Sequence, residues 1–549
     1  MKFRKPLKTT AFLLVAATFA GAASAQMRNV KEKITAPMVD GIQKNLIEEI
    51  GAGRGNLTTI NSSIYIINRD PFRAIRRGRQ LFQRKFLDTQ GFSGRDRAGN
   101  IHLDPSIGAG IVDSCAGCHG RPRGSAGFGG DVFTRPDSRD APHLFGLGLQ
   151  EMLADEMTTQ LRAQRDALPI GGTAQLNAKG VSFGSITRTG QTTFNTANVV
   201  GVNPDLRVRP FFAQGGTISI REFLVGAFNA EMGIQGDDPD LIAAGINNQL
   251  RVTPSGMVLN GAIDDIEAPP VTGSNGLDPD GDGISGELPQ SLVDFEEFYL
   301  LHYFKPATHV TPNSLGGRET EVNNGRALFL SAGCGSCHIP SLTINRDRRV
   351  ADLETNFARS DTGVPVTERS NVFNRLFATA SAFFVTVDDP PPDPVIKTFA
   401  NNPAFPQTAS LPPRTFVVNN FFADLKRHNL GPNFHERNFD GSIQQLFMTE
   451  PLWGVGTTAP YGHDGRTHSL EEVILRHGME AQAARDAFNN MSQANKNQVI
   501  AFLDSLVLFS PDDTASNLQN VNPAAANFPQ NGHGAISLTV LFNNPNDRE

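Results

Sequence analysis

The sequence predicts a mainly α protein of two units, with small β insertions and long loops. Three observations carry that reading. A helix-like segment with the same Gly-Arg-x-Leu-Phe core occurs twice, in Ala74 to Phe86 (AIRRGRQLFQRKF) and in Asn323 to Leu330 (NNGRALFL). Each copy precedes a Cys-x-x-Cys-His, and these two motifs lie 219 residues apart, which leaves room for one helical unit around each. The 549 residues are 39% hydrophobic and 19% charged, with mean hydropathy −0.26. That composition excludes a disordered chain, a collagen-like fibre and a multi-span membrane protein.

The elements follow in order. Residues 1–25 read as a signal peptide: Lys2, Arg4, Lys5 and Lys8 form a basic start, Ala11 to Ala20 an apolar run, and Ala23-Ser24-Ala25 a small-x-small cleavage site. The apolar run is too short to span a bilayer, which takes about 20 residues. The expectation is an exported protein, periplasmic or extracellular, with no integral membrane span after cleavage. Cleavage removes four basic residues and no acid, taking the net charge from −7 to −11; this argues against nucleic acid as a partner. Residues 26–73 read as an N-terminal extension, 74–310 as the first unit, 311–510 as the second and 511–549 as a C-terminal tail. Between Gly180 and Arg209, apolar and polar residues alternate among Gly and Asn, the pattern of short strands. Asp388 to Pro394 (DDPPPDP) reads as loop, because proline interrupts both helix and central strand. Ala535 to Phe542 reads as one closing strand. Leu144-Phe-Gly-Leu-Gly148 and Leu452-Trp-Gly-Val-Gly456 form a weak internal echo.

Four cysteines in an exported protein would ordinarily pair as two disulfides. Here they fall as Cys115-Ala-Gly-Cys118-His119 and Cys334-Gly-Ser-Cys337-His338, so each belongs to a C-x-x-C-H, the attachment signature of c-type haem. Two thioether bonds fix the porphyrin edge, and the adjacent His is delivered beneath the iron. A four-thiolate zinc site or a redox dithiol competes, but neither explains a His after both pairs. Each unit is therefore expected to be a cytochrome c-like haem domain.

Ser469-Leu-Glu-Glu472 has the form of a capping box, and the helix it opens presents Leu470, Val473, Ile474 and His477 on one stripe. His477 is either a core histidine or a sixth iron ligand. Asp278, Asp280 and Asp282 with Gly283 follow the start of a calcium loop, although position 12 is Pro289 rather than Glu. Glu287 or Asp294 could complete the shell; a solvated acidic turn is the alternative.

The stretch Thr449-Glu-Pro-Leu-Trp-Gly-Val-Gly-Thr-Thr-Ala-Pro-Tyr-Gly-His-Asp-Gly-Arg466, with Ser469-Leu-Glu-Glu472 and His477-Gly-Met-Glu-Ala481, resembles the C-terminal domain of bacterial di-haem cytochrome c peroxidases, and most of all the di-haem oxidoreductase family. Phe422-Ala-Asp-Leu425, His428-Asn-Leu-Gly-Pro432, Ala227-Phe-Asn-Ala-Glu-Met-Gly233 and the acidic run from Asp278 fit the same family. The resemblance implies His119 and His338 as proximal ligands and His477 as the second ligand of the C-terminal haem, where many peroxidases have Met. It implies Glu231 as the distal carboxylate that moves protons during peroxide cleavage; a surface Glu beside Asp237-Asp238 is the plain alternative. The chain departs from the family at Arg221, where a distal Gln is usual, and at Phe211 or Phe212, where a tryptophan usually relays electrons. The first haem has no evident second ligand, His143 being the one candidate in reach, and an open iron is expected there.

The expected function is electron transfer with peroxidase-type activation of hydrogen peroxide at the N-terminal haem, supplied by a small redox protein or another electron donor. An oxygenase using dioxygen, a protein-modifying enzyme of the same superfamily and a non-enzymatic di-haem carrier are the alternatives.

Overall fold

The computed structural model describes residues 53–86, 113–120, 130–133, 140–232, 234, 238–266, 288–302, 319–351, 395–396, 415–438 and 441–506. The segment 1–25, the acidic run Asp278, Asp280 and Asp282, the stretch Asp388 to Pro394 and the tail from 507 lie outside these residues.

The longer helices among the described residues, with the short one that carries the first motif, are α1 (Ser63–Arg69), α2 (Pro71–Gln83), α3 (Cys115–His119), α4 (Leu147–Asp166), α5 (Ile220–Met232), α6 (Gln290–Leu301), α7 (Glu319–Ser331), α8 (Leu470–Arg476), α9 (Gln482–Asn489) and α10 (Gln493–Asp504). Their starts follow local chemistry. Ser62 caps α1 through the Tyr65 amide; Asp70 caps α2 through the Arg73 amide, with Pro71 at the first position. Ser219 and Glu222 open α5: the Ser219 hydroxyl accepts from the Glu222 amide, and the Glu222 carboxylate accepts from the Ile218 amide and the Ser219 hydroxyl. Ser469 accepts from the Glu222-equivalent position of α8, the Glu472 amide, at 3.2 Å, as its sequence indicates. The Glu472 carboxylate reaches back one residue further than expected, to the His468 amide.

The expectation of a mainly α fold with cytochrome c-like domains is overturned. Only 41% of the described residues are helical, and several small sheets stand between the helices. Thr173–Ala178, Val181–Arg188 and Phe194–Asn195 form a three-stranded antiparallel sheet where the alternating pattern indicated strands. Six further two-stranded pairs occur among the described residues, five antiparallel and one, Val350–Ala351 with Val395–Ile396, parallel. The physical cause is the connections. With 53 Gly and 35 Pro the chain breaks its helices often, and the long segments between them must still pair their backbone amides and carbonyls. Short ladders do this; Phe416–Val418 pairs with Leu342–Ile344 soon after the second C-x-x-C-H, where a helical domain would have continued as helix.

The two-unit organisation has a duplicated packing scheme. In the first unit α2 packs on α6, and in the second α7 packs on α10. The shared Gly-Arg-x-Leu-Phe explains both contacts. A Cβ on Gly78 would lie 2.2 Å from the Phe295 carbonyl oxygen of α6, and one on Gly325 would lie 1.8 Å from the Gln498 carbonyl oxygen of α10. Glycine is what lets each helix pair touch backbone to backbone. The Phe of each motif then faces its own histidine: Phe82 and His119 have centroids 6.5 Å apart at 49°, Phe329 and His338 6.0 Å apart at 50°. The pentamer echo repeats as well. Gly146 and Gly454 both take a left-handed conformation, φ 78° and 84°, at the start of a helical turn. Gly148 and Gly456 both sit against the last carbonyl of the closing helix, at Leu301 and Asp504.

Gly325→Ala should therefore destabilise the protein despite alanine's better helix propensity. The added carbon meets backbone that cannot rotate away, so α7 and α10 must separate, at about 1–3 kcal/mol for overpacking against about 1 kcal/mol gained in propensity. Chemical denaturation reads the balance; a midpoint equal to or above the parent's would show that the two backbones are not in contact there.

Candidate functional site

The first motif lies on the short helix α3, whose i, i+3 spacing puts Cys115 and Cys118 on one face with His119 beside them. The second lies on a tight turn, Cys334–Ser336, entered through left-handed Gly333. Both open on a single cavity of about 990 Å³ that also receives His477 and Glu231. Thus the four cysteines and the four other residues singled out for iron and proton chemistry all line one space.

None of the four cysteines is in a disulfide. Burial pushes the thiols of Cys118 and Cys334 up to about 11 and raises that of Cys115 well above its ordinary value. A redox dithiol needs the opposite, a thiol lowered toward neutrality. Nor do the four sulfurs gather as a zinc site would require: among the described residues, the one group of potential metal ligands that converges is Cys337, Asp424 and His428.

The three histidines share one device. His119 Nδ1 lies 2.8 Å from the Pro142 carbonyl oxygen, His338 Nδ1 2.9 Å from that of Phe422, and His477 Nδ1 2.7 Å from that of Val473. A carbonyl can only accept, so each Nδ1 carries the proton and donates it, and the lone pair is on Nε2. This is how metal-ligating imidazoles are oriented by a partner behind them. Burial lowers His338 to about 4 and lowers His477 too, which keeps both rings neutral and able to ligate at neutral pH. His477 differs from expectation in one respect. The helix α8 ends at Arg476, and His477 is its extended C-cap, so the ring is placed by its bond to the carbonyl one turn back rather than by the helix stripe.

The remaining residues of interest divide clearly. Glu231, on the last turn of α5, lines the cavity close enough to Cys118 that its charge helps raise that thiol. Arg221, at the start of the same helix, does not line the cavity. It is fully buried in an ion network with Asp238, Asp294 and Glu297. Asp294, a candidate calcium ligand, is held there by Arg221, Arg54 and Ser63. Phe211 and Phe212 line the cavity and pack on Phe223 of α5, with centroids 6.1 and 5.4 Å away. His143 turns its Nε2 to the Trp453 carbonyl oxygen at 2.9 Å. His463 stacks on Phe447, centroids 4.0 Å apart, with Glu436 3.3 Å from its Nε2.

Two features escape sequence reading. His428 is clamped between Asp424 at 2.9 Å and Glu480 at 2.8 Å, and although burial opposes its charge, Asp424 and the Cys337 sulfur hold it up at about 11. Glu450 turns its surface to the cavity while protein encloses it, and burial pushes its carboxyl up to about 7. Its only sequence signal is its place beside Pro451-Leu452-Trp453.

Two similarly packed helix pairs each set a C-x-x-C-H on a shared cavity. The particular family is given by residues 353–506, which match the family described as "Di-haem oxidoreductase, putative peroxidase". The similarity is confined to this segment, and the family's name points to haem and to oxidoreduction. The matched segment contains His477 and the loop around Trp453 and stops short of both C-x-x-C-H motifs. No curated protein matches the chain. Among the described residues, no helix is long and apolar enough to cross a membrane.

Proposed function

We propose that this is an exported oxidoreductase with two covalent c-type haems, in which the C-terminal centre stores an electron and the N-terminal centre activates hydrogen peroxide. The observation that carries this reading is the common orientation of His119, His338 and His477, each proton-donating through Nδ1 to a backbone carbonyl at the wall of one cavity with all four cysteines.

Haem, bound there, supplies one-electron chemistry at both centres and peroxide cleavage at an iron with an open position. The chain's own residues do the rest. Cys115 and Cys118 anchor the first group and Cys334 and Cys337 the second. His119 and His338 would each hold one haem iron through Nε2, and His477 would be a further ligand to the second. At the first centre His143 Nε2 is committed to the Trp453 carbonyl, so His143 would not serve as a second ligand there through that nitrogen. Glu231 takes a proton from the entering peroxide and returns it to the departing oxygen, so that water leaves in place of hydroxide. A small redox protein is the proposed electron donor.

Electron paramagnetic resonance of the oxidised protein, before and after peroxide, tests the assignment. One low-spin centre with two histidines and one high-spin centre that responds to peroxide are expected. His477→Ala should convert the low-spin signal to a high-spin one; an unchanged spectrum sinks its role. Two low-spin centres unaffected by peroxide would make the protein an electron carrier.

A further inference from the structure

The two units meet at Trp453, the one tryptophan of the chain. Its side chain is 2% exposed and lies on the first unit's Gly146, where a Cβ would come within 2.6 Å of the indole. Its carbonyl accepts the Nε2 proton of His143 at 2.9 Å. His143 follows Pro142, whose carbonyl accepts the Nδ1 proton of His119 at 2.8 Å. On the other side the indole meets Phe421 edge to face, with centroids 5.1 Å apart at 68°. Phe421 precedes Phe422, whose carbonyl accepts the Nδ1 proton of His338 at 2.9 Å.

From these contacts we infer that Trp453 is the junction of an electron path between His119 and His338. The inference rests on the proposed role of those two histidines as iron ligands. The path consists of covalent bonds, three hydrogen bonds and a single van der Waals step, the one between Trp453 and Phe421. Tunnelling falls off much less steeply along bonds and hydrogen bonds than across a gap, so a path with one gap dominates over routes with several. Phe211 and Phe212 offer no such continuity, since both pack on Phe223 within the first unit. One electron enters at His338 and one leaves at His119, and no bond to hydrogen is made or broken. The indole Nε1 is buried with no hydrogen-bond partner among the described residues, so none of them is in place as a base to take its proton. Trp453 is thus a bridge whose own redox state is unchanged, rather than a site where a neutral radical rests. Burial also lowers His143 to about 4, which keeps positive charge off the path at neutral pH.

The test uses the full-length holoprotein, half-reduced, with carbon monoxide on the open centre. A flash releases the gas, and absorbance at the other centre follows the electron as it redistributes. Trp453→Leu is expected to slow redistribution several-fold, because it removes the indole that joins the two hydrogen-bonded arms. Phe421→Leu, which keeps the indole and breaks only the aromatic step, is expected to slow it as well, and it serves alone if Trp453→Leu does not fold. The static spectra and midpoint potentials of both centres should not move. A parent rate in both variants, or an equal slowing in Phe212→Leu, overturns the path. A parent protein with no redistribution overturns the two-centre reading and the path together, and is distinguished from failure of the path alone by the parent trace.

Discussion

Arg221→Ala is expected to lose about 3–5 kcal/mol of stability, the usual cost of removing one partner from a buried ion set. The guanidinium holds Asp238 bidentately, at 2.9 and 2.6 Å, and reaches Asp294 at 3.0 Å and Glu297 at 2.8 Å, with Arg221 itself wholly removed from solvent. Alanine would leave three buried carboxyl groups facing one another. Arg54, 2.8 Å from Asp294, answers only part of that charge, and Glu297, already pushed up to about 7 by burial, would have to take a proton to remain inside. A folded domain has about 5–15 kcal/mol in total, so the variant should be barely folded. The network also positions the site. Arg221 begins α5 and Asp238 lies just beyond its end, so their pairing clasps the helix that carries Glu231. Thermal unfolding against Arg485→Ala measures this: the Arg485 and Asp486 pair lies at the surface, where water screens it, and its loss should leave the melting temperature nearly unchanged. Equal melting temperatures for the two variants would show that the buried network contributes no more than a surface pair.

What was legible beforehand is what is local. A C-x-x-C-H places two sulfurs and an imidazole within five residues, so its chemistry needs no knowledge of the fold, and Ser469 with Glu472 signals a helix start in the same way. Arg221 was legible only as a departure from a motif, because its partners lie 17, 73 and 76 residues away and nothing near it in the chain reveals them. The two glycines of Gly-Arg-x-Leu-Phe stood in plain view, but their purpose depends on carbonyls of α6 and α10. Trp453 read as part of a loop motif because the surface it touches belongs to the other unit. The overestimate of helix has a similar origin. Ladders of two or three residues are too short for alternation to register, whereas amphipathic segments such as α2 announce themselves. His477 marks the boundary: periodicity placed it on a helix that in fact ends one residue earlier.

Glu231→Gln should lower peroxide turnover by about 10²–10⁴-fold, the usual contribution of a positioned general acid–base group, with both haem spectra and the stability of the protein intact. The substitution keeps size and hydrogen-bonding reach and removes only the capacity to accept and release a proton. Because that capacity matters in the transition state more than in peroxide binding, kcat and kcat/KM should fall together. The alternative carrier of the proton is Glu450, a second carboxyl on the cavity wall, raised to about 7, where an acid–base group at neutral pH is most effective. The two are separable. If Glu231 does the work, Glu450→Gln leaves the rate within about threefold of the parent, a margin small beside the 10²–10⁴ of a true acid–base group; if the large loss follows Glu450→Gln instead, the proton passes through the loop that holds Trp453 and not through α5, and the place of Arg221 is then structural alone.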